Sequence, residues 1–373
     1  MKELKNIIEA YQKVDFSKNK AALATVVRVE GSAYRRTGAR MLVLESGEWV
    51  GGISGGCLEG DALKKARLAM AQNKATLITY DTSDDDPFQI GVGLGCNGII
   101  DVMITPLDPN NVNNAIIQVK DHIDIRTPNV VITVIGLNGN LENISLGDVF
   151  RFDNQTHFKT VFPTALFADN ELFDDINFCL KNLRSLPKTY ELKDKSNVKL
   201  FIEILPPAVH LVIYGTNYDI YPLARLAKEV GWKVTVVCNP QKVHASLFEI
   251  VDQVLPKDAT PPAFDDFTVA VLMSHDYETD YQSLLKLLES STNYIGMLGP
   301  AKRNQKMYDR MQEEGIEVSE ENLAKIYNPV GLDTGATTPE EISISIIAEI
   351  RTFFSKRTGK SLRFRQTSIN ERD

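Results

Sequence analysis

HLVIYGTNYDIYPLARLAKEVGWKVTVVC, residues 210–238, places two largely apolar runs on either side of an amphipathic stretch. HLVIYG and KVTVVC are too short for globular helices and lack polar alternation, as strands buried on both faces do. DIYPLARLAKEVGW has helical spacing, so the segment reads as strand–helix–strand with parallel strands. Downstream the alternation continues, with FTVAVLMSHD and NYIGMLGP as strands and YQSLLKLLES as the helix between them. From Ala208 onward the expected fold is a doubly wound α/β sheet covered on both faces.

The first strand–turn–helix of such a sheet is where a dinucleotide-binding fold carries GxGxxG. Here VIYGTNYDI keeps Gly215, while Asn217 and Ile220 occupy the other two glycine places. Cys238 stands where an acidic residue ends the second strand, so NAD(P) is not expected. MSHDYETD puts His275 and Asp276 just past a strand's carboxyl end, where open α/β sheets hold ligands. They read either as an acid or base, or as a cap on the next helix. Gly215, Asn217, His275 and Asp276 are therefore this half's candidate site residues. TTPEEISISIIAEI is the clearest helix start, with Thr338 as N-cap, Pro339 at the first position and Glu341 closing a capping box.

Pro206-Pro207 is the best domain boundary, dividing the chain into residues 1–206 and 207–373. The first part reads as a mixed α/β domain. Residues 2–14 form a helix, and AALATVVRVEG, ARMLVL, EWVG, ATLITY and GIIDVMITPL form strands. Residues 110–205 are less informative. NVVITVIGLNG, LGDVFRFD and NVKLFIEILPP carry strand patterns, and FADNELFDDINFCLKNLR reads as a helix burying Cys179. His122 and His157, among polar neighbours, read as surface residues.

The chemistry concentrates in GSAYRRTGARMLVLESGEWVGGISGGCLEGD, residues 31–61. Gly55-Gly56 falls where a strand turns into a helix, and Cys57 is expected on the first helical turn. Unpartnered N–H groups of such a turn form an anion site and favour a thiolate. Arg35, Arg36 and Arg40 are candidate partners for phosphate or carboxylate, and Ser54, Gly55, Gly56 and Glu59 belong to the same candidate set. The alternative is tight turns around a small core cysteine. GVGLGCNG puts Cys96 in a second glycine-dense turn, which suggests one shared site. Asp84-Asp85-Asp86 reads as a cation ligand or a solvated turn.

Composition excludes several classes. A chain of 373 residues with 43% hydrophobic content suits two domains. The net charge of −8 argues against non-specific nucleic-acid binding. The cysteines lie far apart without CxxC, as in a reduced cytoplasmic protein. No run is long enough to span a membrane, and no signal peptide is read at the start.

Together GSAYRRTGARMLV, GGISGGCLEGD, LGCNG, MSHDYETD, YIGMLG and NPVGLDTGATTPEEISISIIAEI resemble the xanthine dehydrogenase accessory (XdhC/CoxI) family, over residues 1–105 and 207–355. The resemblance implies an N-terminal XdhC/CoxI-like domain followed by a Rossmann-like domain. It implies a chaperone that binds the molybdenum cofactor (molybdopterin), assists its sulfuration and inserts it into a xanthine-dehydrogenase-type enzyme. Cys57 and Cys96 are the residues carried over first, with Cys57 as a soft ligand to molybdenum. Partners so implied are that molybdoenzyme and a cysteine desulfurase, and a homodimer is the default assembly. The family usually carries GAGH-like residues where Gly215-Thr216-Asn217-Tyr218 stands, an acidic residue at Cys238, and LGS at Leu298-Gly299-Pro300. These departures count against nucleotide-linked activity of the second domain. Two other classes stay open: an NAD(P)-dependent oxidoreductase using His275, and a sulfur carrier with a persulfide on Cys57.

Overall fold

The computed structural model describes residues 1–81, 98–139, 141–260 and 262–367; Cys96 and the Asp84–Asp86 run lie outside the described residues. The chain divides into two compact units, residues 1–207 with the tail from Arg365, and residues 208–364.

In the first unit α1 (Lys2–Gln12) leads to β1 (Ala21–Gly31), β2 (Arg40–Leu44), β3 (Trp49–Gly51), α2 (Glu59–Gln72), β4 (Thr76–Asp81) and β5 (Gly98–Pro106). Then follow α3 (Ala115–Lys120), β6 (Asn129–Asn138), β7 (Val149–Phe152), α4 (Gln155–Val161), α5 (Glu171–Asn182), β8 (Leu186–Glu191) and β9 (Asn197–Leu205). They build two antiparallel sheets, in the orders β3-β2-β1-β5-β4 and β7-β6-β9-β8. Strand alternation assigns each sheet face its core. Ala22, Ala24 and Val26 of β1 pack with Ala62, Ala66, Ala69 and Met70 of α2, small residues that let the helix lie close. Ala21 and Leu23 point the other way and join Leu4, Ile7 and Ile8 of α1.

The two sheets repeat one plan. Each runs long strand, second strand, helix, edge strand, return strand, and each return strand pairs with the first. The irregularities match as well. β1 is bulged between Val26 and Arg28 against β5, and β6 between Val134 and Gly136 against β9. Val26 exchanges backbone bonds with Gly38 and Ala39, as Val134 does with Gly147 and Asp148. Tyr80 on β4 donates to Asp61 at 2.9 Å, and Tyr190 on β8 donates to Asp175 at 2.8 Å. Both bulge residues, Val27 and Ile135, meet Met103 and Phe201 in one small core. The register pair Arg28–Asp101 thus corresponds to Gly136–Lys199. The second copy has α4 where the first has β3 and the glycine-rich turn, and Phe150, Phe158, Phe162 and Phe167 fill its core.

His122, expected at the surface, is buried after α3 at 2% exposure, and burial pushes its pKa down. Its polar neighbours in sequence hid the apolar packing of the turn.

The second unit comprises β10 (His210–Tyr214), α6 (Ile220–Glu229), β11 (Lys233–Cys238), α7 (Ser246–Ile250), β12 (Gln253–Pro256) and β13 (Thr268–Leu272), then α8 (Tyr277–Leu288), β14 (Ile295–Met297), α9 (Ala301–Glu313), α10 (Glu320–Ala324), β15 (Ile326–Tyr327) and α11 (Pro339–Ser355). Its six parallel strands run β12-β11-β10-β13-β14-β15, the doubly wound order. The order reverses between β10 and β13, which leaves a crevice at their carboxyl ends. Thr338 and Glu341 form the capping box that starts α11. Among the described residues no helix is long and apolar enough to cross a membrane.

Candidate functional site

The glycine-rich turn of the first unit connects β3 to α2. Glu59 opens α2, is 8% exposed, and bends back into the turn. Its Oε1 accepts the N–H groups of Ile53 (3.1 Å) and Ser54 (2.8 Å), and its Oε2 accepts the Ser54 hydroxyl. Ser54 Oγ in turn accepts from the N–H groups of Gly56 (3.1 Å) and Leu58 (3.0 Å). Burial alone would raise the Glu59 carboxyl, but the hydrogen bonds from Ser54 and Ile53 hold it below its ordinary value. The expected anion cradle is therefore closed largely by the chain's own carboxylate and hydroxyl. The N–H groups of Gly55 and Cys57 stand outside that internal network.

Two of the three arginines expected as anion ligands pair with carboxylates of the chain itself. Arg35 pairs with Glu3. Arg40 forms a buried bidentate pair with Glu203 of β9, with one contact at 2.8 Å, and also donates to Gly38 O at 2.8 Å. Arg36 is half-buried. Cys57 precedes the N-cap Leu58, so it sits just ahead of the first helical turn expected for it. It is half-buried, packed with Val29, Leu63 and Ile78 against the sheet core. Gly55 and Gly56 are exposed beside it. A Cβ on Gly55 would touch the Tyr34 ring at 3.3–3.6 Å, whereas one on Gly56 would meet nothing within 4 Å. The mouth of the turn is thus walled by backbone, an exposed tyrosine and one thiol. Among the described residues no cluster of three or more His, Cys, Asp or Glu is arranged to hold a metal.

In the second unit Gly215 is required by close approach, since a Cβ there would lie 2.7 Å from Met273 O. Asn217 Nδ2 reaches Ser274 O at 3.4 Å. Asp276 caps α8, accepting the Thr279 N–H at 2.8 Å, so it serves the helix and not the crevice. His275 has a positive φ of 59°, a strained place for a non-glycine residue. Its Nε2 lies 2.5 Å from Oδ2 of Asp219, which is 8% exposed. Both line a cavity of about 130 Å³ with Met273, Leu298, Ile342 and Ser343. Cys238 is fully buried, and burial pushes its thiol pKa up.

Comparison with known proteins decides the family. The model of the XdhC and CoxI family matches residues 17–81, and the model of the XdhC Rossmann domain matches residues 211–350. A Bacillus subtilis protein, named as a probable subunit of xanthine dehydrogenase, is 31% identical over 88% of this chain and 92% of its own. The chain belongs to the XdhC and CoxI family. A more distant relative, the molybdenum cofactor insertion chaperone PaoD of Escherichia coli, is 24% identical over 88% of this chain and 82% of its own. A Bacillus halodurans crystal structure described as a xanthine dehydrogenase covers 94% of this chain and 96% of its own, at 25% identity and a TM-score of 0.67.

In this XdhC/CoxI member the structure brings Ser54, Gly55, Gly56, Cys57 and Glu59 into one turn and keeps Arg35 and Arg40 in ion pairs. Sequence reasoning missed Asp219. Its signal was an acidic residue at a helix start where a glycine-rich turn would hold phosphate. It also missed Tyr34, an exposed aromatic next to the arginines.

Proposed function

We propose that this protein is an accessory chaperone that holds the molybdenum cofactor at the turn from Ser54 to Cys57 and passes it to a xanthine-dehydrogenase-type enzyme. The observation carrying this reading is the half-buried Cys57 thiol beside exposed, backbone-walled Gly55 and Gly56. A thiol is the ligand type that a soft molybdenum centre accepts, and open glycine backbone admits a bulky group that a Cβ would exclude. Glu59 and Ser54 act from behind, fixing the turn so that the N–H groups of Gly55 and Cys57 stay available to an anionic group. When bound, the cofactor brings the metal chemistry; the chain supplies one sulfur, two N–H donors and a rigid loop. The name of one relative, a molybdenum cofactor insertion chaperone, supports an insertion role. Cys96 belongs to the proposal as a second sulfur donor.

A finer form adds sulfuration. The Cys57 thiolate would attack the outer sulfur of a cysteine desulfurase persulfide, releasing the desulfurase thiolate. A cytoplasmic homodimer is part of the same proposal, tested by light scattering of the purified chain. For the NAD(P) alternative the turn after β10 is unfavourable. Asn217 and Ile220 replace glycines, and the Asp219 carboxylate sits where a pyrophosphate would.

The test is cofactor retention through gel filtration, read by molybdenum content and pterin fluorescence. Wild type is expected to retain cofactor and Cys57→Ala to lose it. Equal retention by both would move the site away from Cys57, and retention by neither would remove the chaperone reading.

A further inference from the structure

Tyr34 stands 74% exposed in the loop between β1 and β2, yet its ring has a fixed seat. A Cβ built on Gly55 would lie 3.3 Å from the ring's Cγ and 3.5 and 3.6 Å from its two Cδ atoms. Three nearly equal distances put that point over the face of the ring, since an approach in the ring plane would leave one Cδ distinctly farther than Cγ. One face of Tyr34 therefore rests on the bare Gly55 backbone, which has no side chain to hold it off. The opposite face is open to solvent. Gly55 is two residues before Cys57, at most about 7 Å of chain. Ser54 and Glu59 hold that same turn from within.

An open aromatic face seated on a braced loop is a stacking platform. A flat conjugated ring buries apolar area on it with favourable ring–ring geometry, and little ordering cost remains because the tyrosine is already placed. An aliphatic group gains only the area, and an oxyanion gains neither. Molybdopterin joins its metal-bearing sulfurs to a pterin, so a ligand held by its metal at Cys57 has a flat heterocycle within reach of Tyr34. We propose that the open face of Tyr34 stacks the pterin ring, so that Tyr34 recognises the organic part of the cofactor while Cys57 takes the metal. The assignment rests on the proposed hold of the cofactor by the Ser54–Cys57 turn. It gives that turn a means of telling the complete cofactor from bare molybdate, which offers the platform nothing to stack.

The experiment loads the full chain with molybdenum cofactor and follows its loss on dialysis, read as molybdenum and pterin remaining per chain. Wild type is compared with Tyr34→Ala, Tyr34→Leu and Tyr34→Phe. Tyr34→Ala is expected to lose cofactor about tenfold faster, within the range that removal of a stacking ring costs where bases lie on aromatic side chains. Tyr34→Phe keeps the ring and is expected to match wild type within about twofold. Tyr34→Leu, apolar without a ring face, is expected to behave as Tyr34→Ala. Circular dichroism checks the fold of each variant at this exposed position. Loss from Tyr34→Ala at the wild-type rate overturns the stacking, and the reading of the turn then stands or falls on Cys57→Ala alone. Leucine holding the cofactor as well as phenylalanine would make Tyr34 a merely apolar cover and overturn the stacking too, as would phenylalanine failing to match wild type. No cofactor held by wild type removes the reading of the turn and this inference with it.

Discussion

Replacing Arg40 by methionine isolates the buried ion pair of the first unit. Arg40 and Glu203 have side chains only 7% and 4% exposed, and both guanidinium amino groups of Arg40 bond the carboxylate. Gly38 presses on the same carboxylate, since a Cβ there would lie 2.7 Å from Glu203 Oε1. The stranded carboxylate thus has little room to turn toward water. Removing one partner of such a pair costs about 3–5 kcal/mol, whereas exchanging both for apolar residues is close to neutral or stabilising. With a urea slope of about 1–3 kcal/mol per molar, the single variant loses more than about 1 M in midpoint. Arg40→Met combined with Glu203→Leu recovers to within about 1 kcal/mol of wild type. The assay is urea unfolding followed by Trp49 fluorescence in a Trp232→Phe background. A double variant as unstable as the single one would refute the reasoning. A stable double variant that no longer retained cofactor would instead return Arg40 to the list of ligands.

Four further outcomes follow from the same structure. Glu59 has a folded pKa below its ordinary 4.5, so the stability it contributes is fully present above that value and lost as pH falls through the folded one. Calorimetry should show the melting-temperature gap between wild type and Glu59→Gln shrinking below about pH 4.5; a constant gap would contradict this. Gly215→Ala forces a Cβ against Met273 O and is expected to destabilise the second unit by about 1–3 kcal/mol in denaturant unfolding. Thr338→Ala removes the α11 cap and should cost about 1 kcal/mol by the same measurement. Asp276→Ala removes the α8 cap and should speed amide exchange at Thr279 at a cost of about 1 kcal/mol; unchanged exchange there would contradict the capping role.

Much of the fold was legible because local patterns agreed with it. β1 runs from Ala21 to Gly31 as its apolar sequence indicates, and α11 begins where Thr338, Pro339 and Glu341 say it must. The site was less legible because its decisive partners are distant. Arg40 looks like an anion ligand until Glu203, 163 residues away, is seen to hold it. Glu59 was singled out, but its direction back into the turn depends on three-dimensional closure with Ile53 and Ser54. Asp219 and His275 are 56 residues apart and meet only because β10 and β13 are neighbours. The β8 strand LPKTYE escaped notice because Pro187 and Lys188 dilute its pattern, yet its Thr-Tyr ending echoes LITYD of β4.

That echo has an electrostatic meaning. Asp101 and Lys199 occupy equivalent positions in the two copies, and the Lys199 ammonium lies 3.6 Å from the Asp101 carboxylate. Were the copies separate identical chains about a two-fold axis, those places would carry the same residue and repel. Joining them in one chain allows opposite charges at symmetry-related positions. It also allows one copy to carry the open glycine–cysteine turn while the other fills that space with aromatic rings. A covalent pair can divide labour in a way that a symmetric dimer of one sequence cannot.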